Sequence, residues 1–484
     1  MRFLKISLIT ILFSLLAHQM SGRSAAATPT VNHDHFLPWL KSSAAPAPPV
    51  PTINAPYFAD LMNGDGTINR FGEMALTWFG EISPSENYLD IRAAYDADEL
   101  VIYAAVIDRL IWYDTSPAAA DLTQWDSLVL YLDRTANGTA QPTTTAYRFE
   151  VQYSGGSSPN YQAAYRGNGT GWQATNLSFS HFTASRWEQP GGPNSGGDSR
   201  GWVATIRIPF ASLGVAQPAS GTTWQIAVTN QDRDNAAGTG RISKSWPTNA
   251  TNTASNSWGH WHFGLPTYTP PGSTPGGTAI IRHNLNGATV RDANVGGYTV
   301  CGGGFDYWSE WGNATWGDYN SELSNFNIQN QSDIADWPCF ARYYITFPIT
   351  AVPTNKVIRS ATLTLHQIGN SEPAAAEPSL IQVLTIGEDW QQATATWNNT
   401  PQPMANHRGT WIDPLPGFPG WPGVLRTLDV SLAVAEAYAA GEPVRLALYE
   451  ADDAYHSGKY FVGSGTGEWN AVGRPTLTIV WGNP

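Results

Sequence analysis

The segment YLDIRAAYDADELVIYAAVID, residues 88–108, decides the fold class. Its first part, LDIRA, alternates apolar and charged residues, which is the period of a β-strand with one buried face. Its second part, LVIYAAVI at 100–107, is apolar at every position, as in a strand that is covered on both sides. The DAD between the two parts is a turn signal. We therefore predict a β-hairpin.

The same texture recurs in further segments: DSLVLYLD (126–133), AYRFEVQY (146–153), GWVATIRIPF (201–210), TWQIAVTN (223–230), ATLTLHQI (361–368), SLIQVLTI (379–386), VRLALYE (444–450) and RPTLTIVW (474–481). Many short strands in a turn-rich chain, without alternating helices, are typical of antiparallel β-sandwiches of the jelly-roll kind. The sequence therefore predicts an all-β protein. One short helix is expected from Ser431 as N-cap to Ala440, with Gly441 as the stop.

Two Pro-rich segments divide the chain. Residues 28–52 read as a Pro/Ala-rich linker, and PTYTPPGSTPGG at 266–277 as a Pro/Gly-rich linker. The prolines and glycines of the second segment cannot continue a strand or a helix. We predict two β-sandwich domains, residues 53–265 and 278–484, joined by the second linker.

Residues 1–27 predict a secretory signal peptide. Arg2 and Lys5 give the positive start, residues 6–17 form an apolar run too short to span a bilayer comfortably, and three alanines at 25–27 suit a signal peptidase. The alternative is a retained anchor. We expect a secreted, extracellular or cell-surface protein without stable membrane insertion once the signal is cleaved.

The chain has only two cysteines, Cys301 and Cys339. In an oxidising compartment they predict a disulfide, which would close a loop of about 40 residues and stabilise the fold by roughly 3–4 kcal/mol. A free nucleophilic cysteine is the alternative.

Composition limits the partner. The 484 residues carry 26 Lys and Arg against 39 Asp and Glu, a net charge of −13, and the chain has no basic cluster. This argues against nucleic acid and against anionic membranes, since both require Lys and Arg. With 21 Trp, 20 Tyr and 17 Phe among many Asn, Thr and Gly residues, a neutral polysaccharide fits better.

Five ordered pieces carry a family resemblance: YDADELVIYAAVID (95–108), WDSLVLYLD (125–133), GWVATIRIPFASLG (201–214), WQIAVTNQDRD (224–234) and SWPTNATNTASNSWGHWHF (245–263). Together they make residues 53–265 resemble the carbohydrate-binding module family 9-like fold, a β-sandwich related to DOMON domains. The resemblance implies sugar binding, often at glucan or xylan chain ends, and structural calcium in several members. Two tryptophans clamp the sugar in binding members. Trp125 stands nearest the first, while Trp246 and Trp258 lie near the second without matching it.

Residues 278–484 resemble a DNRLRE domain, which is similar to carbohydrate-binding module family 96. The matching pieces are ARYYITFPITAVPTNKVIRSATLTLHQ (341–367), DWQQATATWNNTP (389–401) and GKYFVGSGTGEWNAVGRPTLTIVW (458–481). The departure is an insertion, GFDYWSEWGNATWGDYN at 304–320. The resemblance implies a secreted module directed at polysaccharide or at a cell surface.

Sugar recognition needs flat apolar rings together with amides and carboxylates. Three aromatic loops offer this mixture: Trp112, Tyr113 and Trp125; Trp308, Trp311 and Trp316; and Trp411, Phe418 and Trp421. We predict the first two sets as carbohydrate-binding residues. The alternative for each ring is core packing, which is the better explanation for Trp202 and Trp224 because they alternate within strands.

No cofactor is required by any motif, but structural calcium is a candidate. Asn63, Asp65 and Asn69 have the oxygen-rich spacing of a calcium loop, although its first and twelfth ligand positions are missing. A plain Asx-rich turn is the alternative. Residues 231–235, QDRDN, form a second acidic turn and a second candidate for a metal ion; internal neutralisation of its carboxylates by Arg233 is the alternative.

We found no activated nucleophile, and the acidic pairs of the chain are explained equally well as charged turns. The sequence therefore predicts a secreted, non-catalytic carbohydrate-binding protein that assists polysaccharide degradation or cell-surface attachment. Two alternatives stay open: a structural or adhesive surface protein, and a glycoside hydrolase or lyase. The sequence leaves the glycan and the oligomeric state undetermined.

Overall fold

The computed structural model describes residues 49–186, 192–297, 306–315, 323–330, 339–450 and 457–484. These residues are almost entirely β-strand and turn, which confirms the all-β prediction. The strands of the N-terminal half are β1 (Thr52–Ala55), β2 (Ala75–Ser83), β3 (Glu86–Tyr95), β4 (Glu99–Ile107), β5 (Ser127–Asp133), β6 (Ala146–Gln152), β7 (Gln162–Gly167), β8 (Trp172–Thr175), β9 (Ser180–Arg186), β10 (Gly201–Pro209), β11 (Thr223–Asp232), β12 (Ile242–Trp246) and β13 (Gly259–Phe263).

The N-terminal half is a sandwich of two sheets. The predicted hairpin is present as β3 and β4, which pair antiparallel from Tyr88 with Ile107 to Tyr95 with Leu100. It lies in a sheet of order β2-β3-β4-β10-β9. The facing sheet has the order β1-β13-β11-β5-β6-β7-β8, and β12 also pairs with β11. Apolar side chains of both sheets form one core, which includes Trp202 as expected.

The C-terminal half is also a sandwich of two sheets. Its strands are β14 (Thr274–Arg282), β15 (Arg291–Gly296), β16 (Asn325–Ile328), β17 (Ala341–Phe347), β18 (Val357–Asn370), β19 (Ser379–Ile386), β20 (Pro403–Asn406), β21 (Thr410–Ile412), β22 (Val424–Asp429), β23 (Val444–Tyr449), β24 (Lys459–Val462) and β25 (Thr476–Asn483). One sheet has the order β14-β25-β18-β24-β16 with β22 on β18, and the other runs β15-β17-β23-β19-β20 with β21 on β19.

The helix predicted near residue 431 is α1, Ser431–Ala440. It ends at Gly441, whose φ of 72° is the left-handed conformation that glycine adopts without strain. Its start differs from the expectation by one residue, because Ser431 is already helical. The N-cap residue is Val430, which has no side-chain capping bond, and the Asp429 carboxylate accepts the Ser431 backbone N–H at 2.9 Å.

One sheet of the N-terminal half is continuous with one sheet of the C-terminal half. β1 pairs in parallel with both β13 and β20, the latter at Thr52 and Ala405. Asn54 and Asn406 reinforce the junction with three hydrogen bonds of 2.6–3.0 Å between side-chain amides and backbone. A strand at the start of the described chain therefore joins the two sandwiches.

A further apolar cluster lies between the halves. It contains Trp78 and Tyr88 from the N-terminal half and Trp397 and Tyr449 from the C-terminal half. Arg342 is buried at its centre, with its guanidinium 3.7 Å from the ring centroid of Trp397 and 4.4 Å from that of Trp78. The halves thus share a core as well as a sheet.

Three predictions concern the segment between the sandwiches, the N-terminal segment and the two cysteines. β14 begins at Thr274, so residues 274–277 of the predicted linker belong to a strand. The predicted signal peptide lies outside the described residues, as does Cys301, so the disulfide stays a prediction, while Cys339 is buried. No helix within the described ranges is long and apolar enough to cross a bilayer.

Candidate functional site

Three aromatic rings lie open on the surface of the C-terminal half. The side chains of Phe418, Trp421 and Trp469 are 59%, 47% and 69% exposed. The ring centroids of Phe418 and Trp421 are 5.2 Å apart, and those of Trp421 and Trp469 are 5.0 Å apart. Both pairs meet edge to face, at 69° and 85°. We call these three residues the aromatic patch.

Two turns hold the aromatic patch in place. Phe418 and Trp421 lie in the Pro/Gly loop between β21 and β22, where the Gly423 N–H donates to the Gly420 carbonyl at 2.9 Å. Gly420 has a φ of 86°, which a residue with a Cβ rarely adopts. Trp469 lies in the segment Glu468–Gly473 before β25, which consists of two short 3-10 turns separated by a kink at Asn470. The rings are therefore presented by backbone that cannot form regular strands.

Exposed aliphatic residues and a carboxylate lie close to the aromatic patch in sequence. Leu425 follows Trp421 and Val472 follows Trp469 within one turn of chain, and they are 58% and 56% exposed. The Glu468 carboxylate, directly before Trp469, is paired at 2.8 Å with the buried Arg474, whose hydrogen bond lowers the pKa of Glu468. This carboxylate stays open to solvent and can accept hydrogen bonds from hydroxyl groups.

A second concave feature lies on the N-terminal half and follows the edge strand β12. Two cavities, about 360 and 410 Å³, meet at Ser243, Ser245 and Ala250, which line both. We call them together the β12 cleft. Its outer part is lined by residues of β5, β6 and β11, among them Arg148 and Gln231. Its inner part reaches the junction of the two halves: Trp78, Tyr88, Trp397 and Asn398.

The outer part of the β12 cleft is polar and hydrogen-bonded. Gln231 donates to Ser243 at 3.2 Å, and the hydroxyls of Thr229 and Ser245 are 2.8 Å apart. Trp172 borders this region and donates its indole N–H to the Asn252 carbonyl at 2.7 Å. The polar groups are thus fixed in orientation.

Arg148 in the β12 cleft forms an ion pair with the buried Glu150. Burial raises the pKa of Glu150 to about 7, although Arg148 opposes the shift. In the unfolded chain the carboxyl releases its proton near 4.5. Folding therefore holds a proton on Glu150 over a pH range in which the unfolded chain has lost it.

The stability of wild type relative to Glu150→Gln should fall as the pH rises. Between about pH 5 and pH 8 the unfolded chain has lost this proton, while the folded state must give it up as the pH rises. The free energy of unfolding of wild type relative to the variant should therefore fall by up to about 3 kcal/mol, at roughly 1.4 kcal/mol per pKa unit. Glutamine cannot titrate and lacks this dependence. Urea unfolding at both pH values measures the difference. Glu81→Gln, an exposed carboxylate at the same cleft, should show no such trend, and a pH-independent Glu150 difference would contradict the expectation.

The structure brings two of the predicted sugar-binding residues together. Trp112 accepts the Asp126 N–H at 3.0 Å and donates its own N–H to the Asp126 carboxylate, which places it beside Trp125. One face of Trp125 is covered, because the Arg233 guanidinium lies 3.6 Å from the ring centroid. Both rings are only partly exposed, so they offer less ring surface than the aromatic patch.

The other predicted rings are mainly structural. Tyr113 packs edge to face on Tyr153 at 5.3 Å. Trp308 and Trp311 are 7% and 0% exposed and belong to the apolar cluster between the halves, so this burial contradicts a stacking role for both. Trp316 lies outside the described residues.

The structure also shows the environment of the two tryptophans near the second position of the family's sugar clamp. Trp246 and Trp258, which lie near the second clamp position, are both buried. Trp258 donates its indole N–H to the Thr251 carbonyl at 2.7 Å and packs on Tyr131. Neither ring has a free face for a sugar, so the clamp that the resemblance implies is not formed by them.

The loop at Asn63, Asp65 and Asn69 is an Asx-rich turn whose polar atoms bind one another. Asp65 accepts both the N–H and the hydroxyl of Thr67, at 3.0 and 2.7 Å. Asn63 donates to the Thr67 hydroxyl, and Asn69 donates to the Asp60 carbonyl. The polar atoms of the loop thus bond to one another, as in the plain Asx-rich turn that is the alternative to a calcium loop.

Arg233 in the second acidic turn also differs from the expectation. Its guanidinium stacks on Trp125 and donates to the Asn235 carbonyl at 2.9 Å. These contacts take the place of the expected pairing with Asp232 and Asp234. The carboxylates of this turn instead lie near Asp108, which directly follows β4 and is more than a hundred residues earlier in the chain.

Sequence reasoning missed Trp469 and the β12 cleft. Trp469 lies in a GTGEWNAVG segment whose Gly spacing signals a turn, and an aromatic residue in such a turn is a candidate for exposure. The polar residues of the cleft alternate with core residues on β6 and β11. The period of two in these strand sequences could therefore have indicated which side chains face the cleft.

Comparisons with known proteins give matches among solved structures. No protein-family model matches the chain, and neither does any curated protein. The chain is similar to a carbohydrate-binding module family 9 from Caldicellulosiruptor kristjanssonii in complex with cellotriose, at 14% identity and a TM-score of 0.32, over 45% of this chain and 95% of that one. It is also similar to that module in complex with glucose, at 14% identity and a TM-score of 0.30, over 46% and 100%. The DNRLRE resemblance stays a prediction.

Proposed function

We propose that this chain is a secreted, non-catalytic protein that binds polysaccharide, and that the aromatic patch is its contact surface. The observation that carries the proposal is the exposure of three aromatic rings in mutual contact: Phe418, Trp421 and Trp469. Contiguous exposed apolar surface of this kind marks an interaction site.

Carbohydrate is the occupant that the chemistry of the patch favours. A pyranose ring presents an apolar C–H face to an aromatic ring and hydroxyls around its edge. Trp421 and Trp469 supply rings, and the Glu468 carboxylate supplies a hydrogen-bond acceptor beside them. The rings meet at steep angles, so one flat sugar cannot cover all three. A polymer with several sugar units in reach fits better, and the net charge of −13 favours a neutral polymer over an acidic one.

The test is retention of the full chain on a panel of insoluble polysaccharides at low and high salt. The panel contains neutral polymers, such as cellulose, xylan, mannan and β-1,3-glucan, and acidic polymers, such as pectate. We expect retention on at least one neutral polymer, little change with salt, and no release of reducing sugar. Absence of retention on every polymer would refute the proposal, and sustained sugar release would show that the chain is an enzyme.

A structural or adhesive role is the second candidate, and the exposed Leu425 and Val472 beside the patch favour it. Aliphatic side chains contribute little to sugar stacking but much to contacts between proteins. In that case the purified chain should form dimers as its concentration rises, measured by light scattering. Dimers that disappear in Trp469→Ala would favour the adhesive role, and a monomer at all concentrations would favour polysaccharide.

Accessory action and secretion complete the proposal. A binding protein without catalytic action would hold a polysaccharide near enzymes or attach a surface to it. Secretion rests on the predicted signal at residues 1–27. The mature protein collected outside the cells should begin after residue 27, as N-terminal sequencing would show.

A further inference from the structure

Threonines cover the outer face of one sheet of the C-terminal half. In the sheet β14-β25-β18, with β22 on β18, the side chains of Leu477 and Ile479 on β25 and of Leu363 and Leu365 on β18 belong to the core. The residues that alternate with them therefore lie on the opposite face. This face holds six threonines, which we call the threonine face: Thr278, Thr362, Thr364, Thr427, Thr476 and Thr478. Two of them are exposed and four are partly exposed.

The strand register places these threonines side by side. Thr478 of β25 pairs with Thr362 of β18, and Thr476 pairs with Thr364. Thr364 also pairs with Thr427 on β22. The threonine positions therefore repeat at about 4.8 Å across the strands and at about 6.8 Å along them. The threonine face is thus a two-dimensional array of hydroxyl and methyl groups.

The hydroxyls of the threonine face are available to a ligand. Of the six, only that of Thr476 is bonded to a protein group within the described residues, the Arg474 carbonyl at 3.0 Å. A threonine hydroxyl can both donate and accept a hydrogen bond. The central threonines of β18 and β25 are separated along each strand only by Leu363 and Leu477, so no charged residue interrupts them. A neutral ligand rich in hydroxyl and C–H groups matches this chemistry.

The threonine face adjoins the aromatic patch. His366 is the next residue of β18 on the outer face, and it pairs with the exposed Leu425 of β22. The Nδ1 atom of His366 lies 3.1 Å from the carbonyl oxygen of Gly473. Gly473 ends the segment that carries Trp469, and Trp421 lies in the loop directly before β22. The two surfaces therefore meet on the same side of the sheet, at one end of its strands.

We propose that the threonine face and the aromatic patch together bind the surface of a packed, insoluble neutral polysaccharide, in which several chains lie side by side. This inference rests on the proposed function and names the physical form of its ligand. The outward positions of β18 from Ser360 to His366 span about 20 Å, and the four strands together span about 14 Å in width. A single polysaccharide chain is narrower than this face and would leave most of its hydroxyls without a partner, whereas packed chains cover it.

Two physical forms of the retained polysaccharide test the threonine face. Binding of the full chain to the packed insoluble form is measured by depletion from solution, and binding to soluble fragments by affinity gel electrophoresis. Thr364→Lys with Thr478→Lys places two long side chains on the face. It should lower the affinity for the packed form about tenfold, which corresponds to about 1.4 kcal/mol. Its affinity for soluble fragments should stay close to that of wild type, because these bind the aromatic patch alone.

Two further variants control the measurement. Thr175→Lys with Thr205→Lys adds the same charge to partly exposed strand positions of the N-terminal half and should bind both forms as wild type does. Thr364→Val with Thr478→Val keeps the shape and the strand preference of threonine and removes only the hydroxyls. The valine variant should therefore fold as wild type does, with the same melting temperature, and should still lose affinity for the packed form.

The outcomes separate this inference from the proposed function. Unchanged binding of the packed form by the valine variant, or retention of wild type on soluble fragments alone, would overturn the role of the threonine face and leave the aromatic patch in place. Equal loss of affinity for both forms in the valine variant would also overturn it. The patch variant Trp421→Ala with Trp469→Ala should lose affinity for both forms, and its failure to do so would refute the proposed function itself.

Discussion

Arg342→Ala is expected to lower the free energy of unfolding by about 4 kcal/mol, since removal of one partner from a buried charge network costs roughly 3–5 kcal/mol. Arg342 is completely buried between the two halves. It donates to the Tyr88 hydroxyl at 3.2 Å and to the Trp397 carbonyl at 3.0 Å, and its guanidinium stacks on Trp78 and Trp397. The variant loses these contacts and leaves a cavity at the shared core.

The buried carboxylate of Asp90 makes the loss of stability in Arg342→Ala larger than that expected from a cavity alone. Asp90, also buried, accepts hydrogen bonds from Tyr88 at 2.6 Å, Tyr449 at 3.0 Å and Asn330 at 3.1 Å. These three donors come from both halves, and Arg342 supplies the positive charge near them. Without Arg342 the buried Asp90 carboxylate loses a positive charge that lies near it, which is unfavourable.

Urea unfolding, followed by tryptophan fluorescence and by circular dichroism, measures both the loss and its cooperativity. Wild type should unfold in one transition, because the halves share a sheet at Asn54 and Asn406 and a core at Arg342. Arg359→Ala removes an exposed arginine from β18 and should change stability by less than about 0.5 kcal/mol. Separate transitions in wild type, or an Arg342→Ala loss no larger than that of Arg359→Ala, would show that the halves are independent modules.

The double variant Trp421→Ala with Trp469→Ala should lower the affinity for the retained polysaccharide about a hundredfold. Each lost ring contact is worth about 1.4 kcal/mol, at the upper end of the range for aromatic contacts, and 1.4 kcal/mol is a factor of ten. Trp421 contacts both other rings of the patch, so its loss also releases Phe418 and Trp469 from their positions. Affinity gel electrophoresis with the soluble form of the polysaccharide measures the change.

Stability separates this effect from unfolding. Both rings are about half or more exposed, so the melting temperature of the double variant should stay close to that of wild type. Trp411→Ala removes a ring that is 50% exposed and has no ring contact with the patch among the described pairs, which makes it the matched control. Equal loss of affinity in Trp411→Ala would contradict the assignment of the patch.

Local patterning predicted the strands well, because alternation of apolar and polar residues is a property of each strand alone. The β3–β4 hairpin and the α1 helix follow from such signals. The junction of β1 with β20 does not, since it joins residues 352 positions apart through a few hydrogen bonds. A Pro/Gly segment between two sandwiches suggests separate modules, and only the packing of Trp78, Trp397 and Arg342 shows a shared core.

Sequence alone did not indicate which loop aromatics are exposed. Trp311 and Trp421 each lie next to a glycine, yet Trp311 is buried and Trp421 is exposed. Sequence cannot separate them, because burial depends on what the other half places over each ring. Asp108 and Asp232 meet for the same reason: strand ends distant in sequence come together at one end of a sandwich.

A crystal structure of the full chain with an oligosaccharide of the retained polysaccharide tests the central claim most directly. We expect sugar rings in van der Waals contact with Trp421 or Trp469 and a hydroxyl hydrogen-bonded to Glu468. Oligosaccharide bound in the β12 cleft alone, with the aromatic patch empty, would contradict it.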